Sequence, residues 1–240
     1  MSAKGGKALV QSDAGKYVAW SGVDQPELAA EGLGCGLLLL RPLSFALPHY
    51  ADCHKFGYVL RGSGVAGVLP VATGDASPAA RERVVRLEAG DVIATRTGEV
   101  SWWYNDSDGD AGDLSIVFMG DTERAVSPGD MSYFFLAGGN SVLGGFDVSS
   151  SAGGETLLLD EEVAAGSVFV VPRFTVTLIS AGADGAQWVS LIKSARPAVE
   201  HLTGGGSVLG GLTAQVVQAS LSVAPELVEL LGGRSAEPSH

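Results

Sequence analysis

Short apolar runs separated by glycine dominate the first 120 residues of this chain, and they restrict it to a β-rich fold. The runs are rich in aliphatic and β-branched residues, and turn sequences such as RGSG at 61–64 join them. Runs of this kind, bounded by glycine, are typical of barrels and sandwiches. The pattern predicts strands at 17–20, 36–41, 43–47, 56–61, 64–69, 83–87, 91–96, 100–105 and 114–119.

Helix is predicted only near the end of the chain. In TAQVVQASLSVAPELVELL, which covers residues 213–231, the apolar residues recur at helical spacing. The sequence therefore predicts two short amphipathic helices, with Pro225 in the first turn of the second one. Residues 71–80 show no periodicity and are predicted to form a loop.

The nonapeptide GGNSVLGGF at 138–146 returns as GGGSVLGGL at 204–212, and the sequence upstream of the two copies also matches in order. This predicts an internal duplication. The second unit lacks the long run of strands that precedes Gly90 in the first unit, and a Ser/Gly-rich linker stands in its place. We predict a first unit at 1–146, a linker at 147–154 and a partial second unit at 155–240. A single deletion or a gene-model error explains the asymmetry equally well.

Composition excludes several functions. The chain has 240 residues with 15 basic against 27 acidic side chains, a net charge of −12, which disfavours binding to nucleic-acid phosphates. Its longest aliphatic stretch, at 32–40, is too short for a membrane span, and no signal peptide is visible, so a cytoplasmic or unassigned location is expected. Without export, Cys35 and Cys53 are expected to be reduced thiols.

Two stretches, ALPHYADCHKFGYVLRGSGVAGV at 46–68 and GDVIATRTGEVSWWYN at 90–105, resemble the two successive motifs of a cupin barrel. The first unit and the tail together resemble plant glutelin type-D-like proteins, relatives of the legumin-type seed storage globulins. Members of that family are bicupins, two jelly-roll barrels in one chain, each followed by a helical extension used in trimer assembly. The resemblance therefore implies an all-β fold, a cupin jelly-roll barrel plus an incomplete second cupin unit with short C-terminal helices. It also implies self-association and, for storage members, a vacuolar location.

The resemblance also identifies where metal ligands stand in enzymatic cupins that resemble germin. These positions are occupied here by His49, Ala51, Lys55 and Ser101, and the last of them corresponds to Thr177 in the second unit. Only His49 is a ligand, and Lys55 places an ammonium where the family has a carboxylate, which repels a divalent cation. We therefore predict no metal, no cofactor and no catalytic residue.

A shifted metal site, built from His49 with Asp52 or His54, was also considered. Alternation along a strand sends His49 and His54, five residues apart, to opposite faces, so we expect no such site. In the aromatic run at 102–104, the same alternation places Trp103 on the inward face with Ser101. We favour packing of the interior by Trp103 over a ligand cage.

These observations leave three functions open. A non-catalytic storage protein, with nutrient reservoir activity, is the prediction, although the chain has neither a visible signal peptide nor an Asn-Gly site for legumin-style cleavage. The alternatives are a metal-dependent cupin oxidase or dioxygenase and a small-molecule-binding barrel. Because the partial second unit cannot close a barrel, we also expect it to be marginally stable.

Overall fold

The computed structural model describes residues 4–71, 81–108, 112–139, 141, 162, 167–168, 170–190, 200–204 and 206–233. Its strands and helices, in chain order, are β1 (Lys7–Ser12), β2 (Gly15–Trp20), α1 (Pro26–Ala30), β3 (Leu33–Leu40), β4 (Ser44–Ala51), β5 (His54–Arg61), β6 (Ser63–Leu69), β7 (Arg83–Glu88), β8 (Val92–Thr95), β9 (Val100–Asn105), β10 (Leu114–Asp121), β11 (Tyr133–Phe135), α2 (Val208–Gly211), α3 (Ala214–Leu221) and α4 (Pro225–Leu231).

The strands form two antiparallel sheets that pack face to face. The first sheet has the order β1-β2-β3-β10-β5-β8, and the second has the order β11-β4-β9-β6-β7. Every strand is paired antiparallel with its neighbours, including pairs that are distant in sequence such as β3 with β10. The all-β fold expected from the sequence is confirmed.

Alternation along the strands builds the core between the sheets. In β3, for example, Leu38 and Leu40 are buried while Leu37 and Leu39 are only partly covered. The same period in the other strands fills the space between the sheets with large side chains. This core comprises Leu38, Leu40, Val59, Ala66, Val68, Leu87, Ile93, Trp103, Leu114, Ile116 and Phe118.

All nine predicted strands are present, with corrections at their ends. Arg41, Asp91 and Arg96 lie just outside the strands in which they were expected. The strand expected to begin at Leu43 begins at Ser44 and continues to Ala51, because Leu43 has a φ of 56°, which is incompatible with an extended strand. The predicted loop at 71–80 lies, after Val71, outside the described residues.

The predicted C-terminal helices are confirmed as α3 and α4, and Pro225 begins α4. Together with α2 they pack on the outer side of the second sheet, where Val217 and Leu209 meet Trp102. Gly67 allows the Trp102 indole to lie close to β6, because a Cβ at that position would overlap the ring. The helices therefore cover one outer sheet face. None of the described helices is long and apolar enough to cross a membrane.

The rest of the second unit differs from its sequence pattern. Residues 170–190 lie in the part of the second unit whose sequence matches the first unit in order, but this described stretch contains no helix or strand and is mostly exposed. A β-strand needs a hydrogen-bonded partner, and none of the described strands pairs with these residues. Phe174 of this stretch contacts the second sheet, because its ring stacks on Phe134 and lies against Tyr50.

Candidate functional site in the barrel interior

The space between the two sheets, here called the barrel interior, collects the residues at the positions of the cupin metal ligands. His49 and Ala51 come from β4, Lys55 from β5 and Ser101 from β9, and all four are buried. His49 and Ser101 lie opposite each other in the register of β4 and β9. The structure therefore confirms that these positions, which are far apart in sequence, meet inside the fold.

His49 is held as a neutral imidazole. Its Nδ1 lies 2.8 Å from the carbonyl oxygen of Leu47, and because a carbonyl only accepts, Nδ1 is the donor. The ring packs edge-on against Tyr133, with the centroids 5.3 Å apart. Burial, reinforced by the nearby Lys55 ammonium, lowers the pKa of His49 to about 3. This side chain is uncharged at neutral pH.

Lys55 lies between two aromatic rings. Its Nζ is 4.7 Å from the ring centroid of Phe118 and 4.7 Å from that of Tyr133. Ring faces attract a cation, but they supply no strong acceptor for its three N–H groups. Burial lowers the pKa of Lys55 to about 8 from its ordinary value of 10.5. The fold thus disfavours the charged form of Lys55. The side chain stays buried without a carboxylate partner.

Two tyrosines close the space beside Lys55. The hydroxyl oxygens of Tyr17 and Tyr133 are 2.7 Å apart, and their rings meet edge to face with centroids 5.2 Å apart. Gly36 makes this arrangement possible, since a Cβ at that position would overlap the Tyr17 hydroxyl. Burial raises the pKa of both phenols, so the pair stays protonated at neutral pH.

The interior presents hydrogen-bond donors without matching acceptors. Within the part of the chain that the structure describes, Lys55 Nζ, Ser101 Oγ and Trp103 Nε1 are buried and have no hydrogen-bond partner. Trp103 is completely buried and packs edge to face on Phe118, with centroids 5.1 Å apart, as predicted from its place in β9. Trp102 points the opposite way, toward the helices, also as predicted.

This donor set does not suit a divalent metal. The described residues contain no group of three or more His, Cys, Asp or Glu side chains placed to bind a metal ion. A metal ion bound as in enzymatic cupins would have to share the interior with the Lys55 ammonium, which repels a cation. Thr177, the matching position in the second unit, is exposed on the stretch at 170–190.

The residues considered for a shifted metal site have other roles. His54 is exposed, opposite to buried His49, and its Nδ1 accepts a hydrogen bond from the Thr97 backbone N–H at 3.0 Å. Asp52 is buried, and its two carboxylate oxygens accept backbone N–H groups of Val126 and Ser132 at 2.8 and 3.0 Å. Asp52 therefore anchors the connection between β10 and β11. Cys35 and Cys53 are both free in the structure.

Sequence reasoning missed the aromatic lining of the interior. Phe118 and Tyr133 flank Lys55 and Tyr17 contacts Tyr133, yet each of these rings stands in a different part of the chain. Phe118 and Tyr17 fall in predicted strands, but no spacing in the sequence links them to Lys55. Tyr133 lies in β11, a three-residue strand that the sequence pattern does not reveal.

The amino-acid sequence is similar to a known protein family and to several seed proteins. A family model described as Cupin matches residues 2–128 and again residues 129–229. The 12S seed storage protein CRD of Arabidopsis thaliana is 26% identical over an alignment of 169 residues, and the match covers 56% of this chain and 37% of that protein. Legumin type B of Vicia faba is 26% identical over an alignment of 151 residues, and the match covers 55% of this chain and 30% of that protein.

A solved structure gives a similar match. Procruciferin, an 11S globulin from Brassica napus, is 26% identical, with a TM-score of 0.46 over 56% of this chain and 34% of that one. The chain spans about a third of the length of the curated relatives it matches. The predicted resemblance to legumin-type globulins is confirmed. The unit boundaries at 146 and 155 stay predictions.

Replacement of the buried lysine tests the electrostatics of the interior. In the unfolded chain the Lys55 amine stays protonated up to about pH 10.5, whereas in the folded protein it is deprotonated near pH 8. The unfolded state therefore binds more protons between these values, and stability rises with pH there. At one pKa unit per 1.4 kcal/mol, we expect a rise of about 2 kcal/mol in the free energy of unfolding from pH 7 to 9.5.

Lys55→Met should abolish that rise and should be about 1–2 kcal/mol more stable than the wild type at pH 7, since it removes a buried charge at the loss of two ring contacts. Urea denaturation at pH 7, 8 and 9.5 measures both effects. Lys7→Met, on exposed β1, is the control and should keep the rise. Equal pH dependence in Lys55→Met and wild type would contradict the assignment.

His49 supplies a second pH window, on the acid side, in which stability also rises with pH. Its pKa is about 3 in the fold against 6.5 in the unfolded chain, so the unfolded state takes up the proton first as pH falls. Stability is therefore complete above pH 6.5 and declines toward pH 3. Relative to wild type, His49→Phe should gain about 3 kcal/mol between pH 7 and pH 4, measured by thermal or urea unfolding. A wild-type acid profile in His49→Phe would refute this explanation.

Proposed function

Because the chain belongs to the cupin family, we propose that it is a non-catalytic storage protein with nutrient reservoir activity. One observation carries the proposal. At the four positions where enzymatic cupins hold their metal, this chain has one neutral histidine, one alanine, one serine and a buried lysine. A storage role requires a stable fold and places no demand on the interior for ligands.

Similarity to storage globulins supports the same proposal. The Arabidopsis and Vicia proteins bear the names seed storage protein and legumin, and each shares about a quarter of its aligned residues with this chain. The match covers a minor part of those proteins, so their storage function is proposed for this chain. The vacuolar location of family storage members and the cytoplasmic location suggested by the sequence stay predictions.

The oxidase or dioxygenase alternative requires a metal that Lys55 opposes. A trimer formed through the helical extension also stays a prediction. In the structure α2, α3 and α4 direct their buried residues at the second sheet of the same chain, and Leu230 of α4 remains 71% exposed. Leu230 is therefore the residue at which helix-mediated assembly is best tested.

Two measurements test the storage proposal. Quantitative mass spectrometry of seed tissue should find the protein accumulating during maturation and falling during germination, whereas constant low abundance would oppose storage. Elemental analysis of the protein purified from its native tissue should find manganese, iron and zinc well below one per chain. A stoichiometric metal that disappears in His49→Ala would overturn the proposal in favour of a metal-dependent cupin.

A second candidate function is binding of a small anion in the interior, and the three unpartnered donors favour it. Lys55 Nζ, Ser101 Oγ and Trp103 Nε1 each lack an acceptor in the described structure, and an anion is the ligand class that accepts from all of them. Because Trp103, Phe118 and Tyr133 already fill much of this space, chloride or formate suits it better than a sugar.

Thermal unfolding at constant ionic strength tests this candidate, with chloride or formate replacing gluconate. An anion at about a hundred times its dissociation constant should add about 2.7 kcal/mol. Lys55→Met should lose that gain, while Lys7→Met should retain it. A gain that is absent, or that survives in Lys55→Met, eliminates the interior as an anion site and leaves the storage proposal intact.

A further inference from the structure

The C-terminal helices belong to a unit that closes on itself. We name the described residues between 201 and 232, which include α2, α3 and α4, the helical cap. The Gly204 N–H donates to the carbonyl oxygen of Leu231 at 2.9 Å, so the two ends of the cap meet. The Val208 N–H donates to the carbonyl oxygen of His201 at 2.9 Å, which joins α2 to the segment before it. The helical cap is therefore held together by its own backbone hydrogen bonds.

The repeated nonapeptide supplies the base of this unit. In its second copy, Gly204 has a φ of 95°, in the left-handed region that favours glycine, and its carbonyl oxygen accepts the Ser207 N–H at 3.3 Å. The Ser207 hydroxyl then caps α2 by accepting the Gly210 N–H at 3.0 Å. The first copy makes the same turn where it is described, since Gly138 has a φ of 90° and its carbonyl oxygen accepts the Ser141 N–H at 3.1 Å. The repeat therefore encodes a turn, and in the second copy this turn begins the first helix of the cap.

Glu82, just before β7, joins the helical cap to the barrel. Its backbone N–H donates to the carbonyl oxygen of Gly211 at 3.0 Å, and its carboxylate Oε2 accepts the Thr213 N–H at 3.1 Å. The same Oε2 accepts the indole N–H of Trp102, from β9, at 3.3 Å. In the part of the chain that the structure describes, the hydrogen bonds between the helical cap and the barrel both involve Glu82. One residue therefore ties α2 and α3 to the second sheet.

The Glu82 carboxylate completes a helix cap that the sequence of α3 leaves open. In a capping box, a Glu or Gln at the third helical position accepts the backbone N–H of the N-cap residue. The N-cap of α3 is Thr213, whose side chain makes no capping hydrogen bond, and the third helical residue is the buried Val216. Because valine has no acceptor, Glu82 fills this role from a distant part of the chain. Its negative charge also lies at the positive end of the α3 dipole.

Apolar packing provides the rest of the attachment. Leu209, Leu212 and Val217 of the helical cap pack in one cluster with Trp102 and Leu136 of the barrel. The strands beneath are joined differently, because β9 is paired along its length with β4 on one side and β6 on the other. Segments that share few hydrogen bonds with the rest of a protein open as separate cooperative units, at a lower free energy than the core strands. The helical cap has the construction of such a unit.

We propose that the helical cap opens as one unit while the barrel stays folded, and that the Glu82 carboxylate holds it closed over Trp102. The closed state leaves Oε1 of Glu82 buried and, among the described residues, without a hydrogen-bond partner. Opening returns this oxygen to water, which removes the cost of leaving it unsatisfied. Opening also uncovers Trp102, only 6% exposed in the closed state. This conformational device is independent of the storage function.

Native-state hydrogen exchange of the full chain, followed by mass spectrometry, tests this device. In the wild type, the amides of α3 and α4 should exchange through an opening that leaves β9 and β10 protected. Thr213→Pro removes the N–H that Glu82 accepts. Proline suits this position, because Thr213 has a φ of −66° and Leu212 before it is extended. We expect α3 to exchange about tenfold faster in this variant, owing to the loss of one charge-assisted hydrogen bond.

Ala224→Pro is the matched control. Ala224 is the N-cap of α4, with a φ of −68° and a ψ of 152°, and its N–H makes no described hydrogen bond to the barrel, so α3 should exchange as in the wild type.

Glu82→Ala should also speed exchange of α3 by about tenfold or more, and adding Thr213→Pro to it should change little further, because the bond is already absent. Unchanged protection of β10 verifies that the barrel is folded in each variant. The proposal is overturned if α3 and β9 exchange together in the wild type or if Thr213→Pro behaves like Ala224→Pro. It is also overturned if the full effect of Thr213→Pro persists in Glu82→Ala.

Discussion

The packing of two antiparallel sheets around Trp103 and Phe118 is the contact on which the rest of this structure depends. These two rings meet edge to face at 5.1 Å, one contributed by each sheet, and the aliphatic core residues surround them. Large buried aromatics contribute much of the energy of a core and also fix the distance between its layers. The side chains packed beside these rings therefore decide what chemistry the interior can support.

Lys55 occupies that space and determines its character. A buried ammonium without a counter-ion is costly, and its retention here rests on two ring faces and on a lowered pKa that permits the neutral amine. Burial, reinforced by this cation, lowers the pKa of His49 and keeps it neutral, and the cation also opposes a metal. The interior of this chain is therefore rich in hydrogen-bond donors, with Lys55 Nζ, Ser101 Oγ and Trp103 Nε1 unpartnered among the described residues.

The sequence predicted the parts of the fold that arise from local pattern. Alternation located nine strands and the inward side of Trp103, and helical spacing located α3 and α4. The strand β1 was missed because it is exposed along its whole length and has no apolar side to reveal it. Within the site, His49, Lys55 and Ser101 followed from family motifs, whereas the contacts of Tyr133 and the anchoring by Asp52 arise from tertiary packing. No periodicity encodes such contacts between distant segments.

The two outer faces of the sandwich are covered unequally within the part of the chain that the structure describes. The second sheet is covered by α2, α3 and α4, which pack on Trp102. The first sheet carries Phe56, Tyr58 and Met119 outward with no described helix across them. A sheet whose strands carry apolar residues on both faces leaves one face exposed unless another layer packs on it. The difference between the faces follows from the second unit, whose described residues supply helices but, at 170–190, no strands.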